Sequence, residues 1–102
     1  MARYTVSPKA KRELVEIWAY IARDGVNHAD RWLARVYELF AILGTAPALG
    51  PTADEIHPGV RRFPLGQYII YYRITMRGVQ IVHVFHGKRD QRAAFKKDRG
   101  TQ

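Results

Sequence analysis

RRFPLGQYIIYYRITMRGVQIVHVFHGKRD, the stretch from Arg61 to Asp90, carries the signal that decides the fold. Arg61 to Pro64 predicts a short strand and Gly66-Gln67 a turn. Tyr68 to Ile74 predicts a strand rich in aromatic and β-branched residues, Thr75 to Gly78 a second turn, and Val79 to His86 a last strand. Strands joined by turns this short pair antiparallel, so residues 61–86 read as an antiparallel meander. The strands are apolar almost continuously rather than alternately, which predicts cover on both faces.

Upstream, Arg3 to Val6 is a short strand, and Ser7-Pro8 is a helix start, because serine caps the free amides and proline presets φ where its missing N–H costs nothing. Ala10, Leu14, Ile17, Trp18 and Ile21 then recur at the helical period, predicting a helix over 8–24 that leaves Glu13 and Glu16 to water. A second helix is predicted over 28–46, capped by Asn27 with Asp30 as a variant capping box. Its stripe is Ala29, Leu33, Val36, Phe40 and Leu43, widened by Trp32, Leu39 and Ile42. Two such helices, closely joined, fold back as a hairpin to hide their stripes. Pro47 to Gly59 reads as a long loop, which suggests a functional or partner-held segment. Residues 88–102 read as a basic tail with one or two helical turns and a disordered end. The expectation is one domain, 1–102, of α+β class: a short N-terminal strand and an antiparallel helix hairpin packed on a small antiparallel sheet.

Charge is divided unevenly. Met1 to Val60 holds seven Lys/Arg against seven Asp/Glu, while Arg61 to Gln102 holds ten against two, which accounts for the whole net charge of +8. The basic half predicts an anionic partner. No run of 18 apolar residues exists, so no membrane span is expected, and MARYTVSPKAKRE lacks the apolar core of a signal peptide. With no cysteine, thiolate nucleophiles and thiolate metal sites are excluded. A cytoplasmic location is expected.

Arg61, Arg62, Arg73, Lys88, Arg89 and Arg92 come from strand ends and the tail; converged on one sheet edge they would suit phosphate, and although composition alone allows a solvated rim equally well, the clustering and the two-sided apolar strands favour function. His83 and His86 point to opposite faces of a strand and cannot share one ion. His83, on the face of Tyr68, Ile70, Tyr72, Ile81 and Phe85, reads most simply as packed under an aromatic layer, and His86, at the strand exit, is better placed for a ligand. Tyr71 and Tyr72 are candidates to stack on bases, although strand aromatics usually pack. Trp18 and Trp32 read as core. There is no paired carboxylate, no Gly-rich phosphate loop, no GxSxG and no HExxH, so neither a catalytic set nor a cofactor or metal is expected.

SPKAKRELVEIWAYIA, LFAILGTAP, HPGVRRFPLGQYIIYYR and GVQIVHVFHGKRD, in this order from Tyr4 to Asp90, resemble the ParE branch of the RelE/ParE toxin superfamily. The resemblance implies a toxin of a bacterial type II toxin–antitoxin pair that arrests growth by non-catalytic inhibition of DNA gyrase and is held in a hetero-oligomer by a ParD-like antitoxin. With that function, the clustered charge after Val60 leads to the expectation of target contacts from Arg61, Arg62, Arg73, His86, Lys88, Arg89 and Arg92, and the helix stripes to an antitoxin platform from Leu14, Trp18, Ile21, Trp32, Val36 and Phe40. The ribosome-dependent ribonucleases of the RelE branch use an arginine where this chain has Ile69 and a tyrosine where it has Phe95. Arg89 matches that branch and Arg62 supplies a comparable charge, so an mRNA interferase stands as the alternative, with a non-toxic antitoxin-binding homologue as a third.

Overall fold

The structure, a computed structural model, describes residues 3–99; the end of the tail expected to be disordered, 100–102, lies outside the described residues. The chain runs β1 (Tyr4–Val6), α1 (Pro8–Ala22), α2 (Val26–Thr45), one 3-10 turn (Pro47–Leu49), β2 (Arg61–Leu65), β3 (Tyr68–Thr75), β4 (Gly78–His86) and α3 (Gln91–Arg99). The four strands form one sheet in the order β1-β4-β3-β2. The meander is antiparallel as its turns require, and β1 adds to it in parallel, so the sheet is mixed.

Ser7 settles where β1 stops. Its Oγ accepts from the Ala10 N–H at 3.1 Å, capping α1, and donates to the Val82 carbonyl at 3.2 Å, while its N–H takes the Ile81 carbonyl at 2.9 Å. The chain therefore leaves the sheet at Ser7, and the next β4 donor on that edge has no strand to pair with. Glu13, expected in water, supplies the acceptor: it is only 8% exposed, with Oε1 accepting from the Val84 N–H at 2.9 Å and Oε2 paired with His83 Nδ1 at 2.9 Å. Position 13 lies on the same helix face as Ala10, Leu14 and Ile17, so the carboxylate is carried inward by the stripe that packs α1.

His83 also departs from its expected face. Tyr71 pairs with His83 and Tyr72 with Ile81, which leaves Val82 as the extra residue of a β-bulge. Past the bulge His83 lies away from Ile70, Tyr72 and Ile81. It packs instead on Phe85 at 4.5 Å between ring centroids and on Phe95 at 4.6 Å.

The sheet divides two cores. Against the helix hairpin, Ala10, Leu14, Val36, Leu39, Phe40 and Leu43 meet Ile70, Tyr72, Val79, Ile81 and Val84. Each large aliphatic or aromatic side chain buried there contributes about 1.5–3 kcal/mol over its exposed state. On the other face Tyr71 and Phe85 are covered by Ala53, Val60, Ala94 and Phe95. The expected second cover is thus the chain's own loop and α3, nine residues long where one or two turns were anticipated. Tyr71 and Tyr72 are both buried and present no ring for base stacking.

Three local expectations change. Gly25, not Asn27, is the N-cap of α2, and Asp30 forms no capping box because its carboxylate accepts the Trp18 Nε1–H at 2.9 Å. That bond keeps Trp18 half-buried at the hairpin surface rather than in the core, and Ile42 is 50% exposed. The long loop is held from within: Tyr72 Oη donates to the Pro47 carbonyl at 2.6 Å and accepts the Gly50 N–H at 2.9 Å, and Asp54 accepts the Gly59 N–H at 2.9 Å.

Two stability outcomes follow from these contacts. Glu13→Ala leaves the buried Val84 amide without its acceptor and the His83 ring without its carboxylate and should cost about 2–4 kcal/mol in urea unfolding, while Glu13→Gln, which keeps an acceptor for Val84, should cost clearly less. Phe95→Ala should cost about 3–5 kcal/mol if α3 is part of the folded unit. An unchanged urea midpoint for Phe95→Ala would mean that α3 does not close the second core.

Candidate functional site

Asp90 starts α3 by accepting the Ala93 N–H on its carboxylate at 3.0 Å, and Gln91 Nε2 ties the helix back to the His86 and Arg89 carbonyls. This fixes the orientation of the basic residues around it. Arg92 lays both Nε and an Nη on the Glu55 carbonyl, at 3.1 and 2.8 Å, and Arg62 meets the Glu55 carboxylate at 3.3 Å. Arg89 lies over the Phe85 ring, 4.7 Å from its centroid. Burial pushes the Tyr71 phenol above its ordinary range, the Arg62 guanidinium beside it pulling partly the other way.

Arg62 and Arg92 therefore come together through Glu55 on the α3 face of the sheet, while Arg89, over Phe85, lines the cleft at the exit of β4. Arg61, one residue along β2, belongs to the opposite face and donates to the Gly50 carbonyl at 2.8 Å. His86 is on the helix-hairpin side, edge-on to Tyr68 at 5.4 Å, and its Nδ1 accepts the Lys88 N–H at 3.1 Å. Lys88 is exposed beside it, and Arg73, paired with Gln80, is exposed toward the far end of the hairpin.

A cleft of about 360 Å³ opens between the end of α1 and the exit of β4, lined by Glu16, Tyr20, Tyr68, His86 and Arg89 among others. Burial, with Tyr20 nearby, raises the Tyr68 phenol and keeps it protonated. Chemically the cleft offers Arg89 and His86 beside two phenols and the Glu16 carboxylate. His83 and Glu13 are committed to each other, and Glu55 to two arginines. Among the described residues no group of three or more His, Asp or Glu is placed to hold a metal ion, and no helix is long and apolar enough to cross a membrane.

The helix residues assigned to a partner divide in two. Leu14, Val36 and Phe40 are core residues, at 3%, 0% and 0% exposure, with almost no surface to offer. Trp18, Ile21 and Trp32 are half-buried, and the Trp32 ring packs on Tyr68 at 5.4 Å, on the sheet side. What the hairpin presents outward is a groove of about 390 Å³ lined by Lys11, Leu14, Val15, Trp18, Leu33 and Tyr37. Val15, 67% exposed, and Tyr37 were absent from the sequence reading, since a stripe pattern ranks residues by their fit to the inner face. Glu55 was also missed as the hub of the basic cluster; only its position as an acid ahead of a long acid-free stretch, Ile56 to Arg89, hinted at it.

Comparison with known proteins agrees with this geometry. The chain is 34% identical over 91 residues to "Toxin ParE1" of Mycobacterium tuberculosis, spanning 87% of this chain and 93% of that one. It is 30% identical over 94 residues to "Toxin ParE1" of Caulobacter vibrioides, spanning 91% and 97%. Its fold matches a chain of the chromosomal ParDE TA system from P. aeruginosa with a TM-score of 0.71 at 20% identity, over 84% of this chain and 96% of that chain. Residues 4–91 match the family model described as ParE toxin of type II toxin-antitoxin system, parDE, and the chain belongs to that family.

Proposed function

We propose that this toxin arrests growth in the bacterial cytoplasm by binding DNA gyrase without catalysing a reaction, and that a ParD-like antitoxin neutralises it in a hetero-oligomer. The observation that carries the reading is the fate of the two positions where the ribonuclease branch needs an arginine and a tyrosine. Ile69 packs against the second core, and Phe95 is buried in it, stacked with His57 and edge-on to Tyr71. Neither holds a phosphate or moves a proton, and the nearest histidine, His83, is occupied by Glu13. What is left for a target is cationic and divided, with Arg62 and Arg92 held at Glu55 and Arg89 with Lys88 at the exit of β4.

The antitoxin is best accommodated on the other side of the molecule. The groove of Lys11, Val15, Trp18, Leu33 and Tyr37 is apolar with one cation at its rim, which suits an amphipathic segment carrying acidic groups that folds as it binds. The separation lets one partner be gripped by the hairpin while the α3 face keeps its charge.

Purified toxin should stop gyrase supercoiling and leave cleaved DNA complexes while ribosome-bound mRNA stays intact; codon-specific mRNA cleavage with gyrase unaffected would instead establish the interferase. Saturating antitoxin, at about 100 times its Kd, should add roughly 2.7 kcal/mol to toxin stability. Reversing Lys88 and Arg89 to Glu should weaken gyrase inhibition at least about tenfold, the effect of losing 1.4 kcal/mol of binding, and leave antitoxin affinity unchanged. An equal loss of antitoxin affinity would place both partners on one surface.

A further inference from the structure

We infer that the tip of the β3–β4 hairpin, Arg73 to Arg77, is a contact site for duplex DNA, with arginines on the phosphates and Met76 entering the groove. Exposure begins abruptly at Arg73: Tyr71 and Tyr72 are buried, and every residue from Arg73 to Arg77 is exposed. The turn and the β3 side of the hairpin are thus open to solvent, while Val79, opposite Ile74, stays in the helix-side core beside β1. The sequence from Arg73 is Arg-Ile-Thr-Met-Arg, with Met76 fully exposed at the apex and Ile74 at 50%.

The base of this turn is fixed. The Val79 N–H donates to the Arg3 carbonyl at 2.9 Å. Gly78, at φ +145°, lies so close to Arg3 that a Cβ would sit 1.8 Å from the Arg3 carbonyl oxygen. Only glycine both adopts that φ and admits that approach. Met76 and Arg77 themselves keep negative φ. Arg3, whose side chain is exposed, is thereby brought to the same end as Arg73 and Arg77. Arg3, Arg73 and Arg77 thus belong to one end of the sheet, and no Asp or Glu occurs in the sequence from Ile56 to Arg89.

A lone exposed methionine is ordinary. An apolar apex between arginines on a pinned two-stranded tip has a specific complement. Guanidinium forks match phosphate, and the major groove, about 12 Å wide, admits a two-stranded ribbon and rewards apolar contact with thymine methyls. Two apolar side chains are too few to anchor on a lipid surface, where binding scales with buried apolar area. Five residues are likewise too few for a standard protein interface of about 800 Å² per partner. Arg73, two residues along β3 from the Tyr71 that pairs with Arg62, leads from the Arg62, Glu55 and Arg92 cluster to the tip. The inference deepens the gyrase reading only in that DNA is present at that target.

The test is fluorescence anisotropy of a labelled duplex of roughly 20 base pairs with the full chain, without gyrase or antitoxin, at about 50 and about 200 mM salt. Arg73→Ala with Arg77→Ala should weaken binding at least about tenfold at low salt and flatten the salt slope by about two. Met76→Ser should weaken it several-fold with the slope unchanged. Arg12→Ala with Arg35→Ala, which removes the same charge from exposed helix positions, should leave affinity within about twofold. Thermal melts should match the parent for all three, since exposed substitutions cost about half a kcal/mol or less. The inference is overturned if the helix pair costs as much as the tip pair, or if Met76→Ser binds like the parent. Binding to anionic phospholipid vesicles that is lost in Met76→Ser, with DNA affinity unaltered, would overturn it in favour of a membrane. Since gyrase is absent from the titration, failure of the tip and failure of the gyrase reading are separate results.

Discussion

The carboxylate of Glu13 closes the one edge that the topology leaves open. Because Ser7 must turn out of the sheet to cap α1, β1 pairs with β4 for only three residues, and β4 continues past it for five more. The Val84 amide would then be buried without an acceptor, a cost comparable to a lost hydrogen bond. Glu13 takes that amide on one oxygen and the His83 ring on the other, so a single side chain from α1 finishes the ladder and fixes the histidine. A buried carboxylate is tolerable only with both oxygens engaged, which is what the bulge at Val82 arranges by turning His83 to meet it.

From that junction the two halves of the molecule acquire separate roles. The hairpin face of the sheet takes the larger apolar core, and the opposite face is covered by a loop and α3. Loop and helix hold each other through Glu55 and Arg92, so the basic region is built on a closed core rather than on a loose tail. Removing the tail would open an aromatic cluster of Tyr71, Phe85 and Phe95, and its contribution to target binding is measurable only with surface charge changes that leave Phe95 in place.

The electrostatics also separate into local and long-range parts. Arg61, Arg62 and Arg92 spend hydrogen bonds on the chain's own carbonyls and on Glu55, which stabilises the loop and lowers the local positive potential. Lys88, Arg73 and Arg77 reach solvent and contribute to a field that draws polyanions from a distance. Glu55 therefore holds Arg62 and Arg92 against the chain, and the Gly50 carbonyl holds Arg61.

The sequence by itself determined the elements, their order, the antiparallel meander, the Ser7-Pro8 helix start, the apolar stripes that fold the hairpin, and the family. These are local or periodic signals, readable because side-chain direction follows from backbone repeat. The tertiary structure alone decided the parallel addition of β1, the cover of the second face by α3, and the partners of Glu13, His83 and Glu55, all of which depend on residues distant in the chain. Glu13 was open to reading, being an acid placed on an apolar stripe, but its acceptor role needs the β4 edge. The faces of His83 and Val82 were not readable, because one extra residue in a strand inverts the alternation from which every face is inferred.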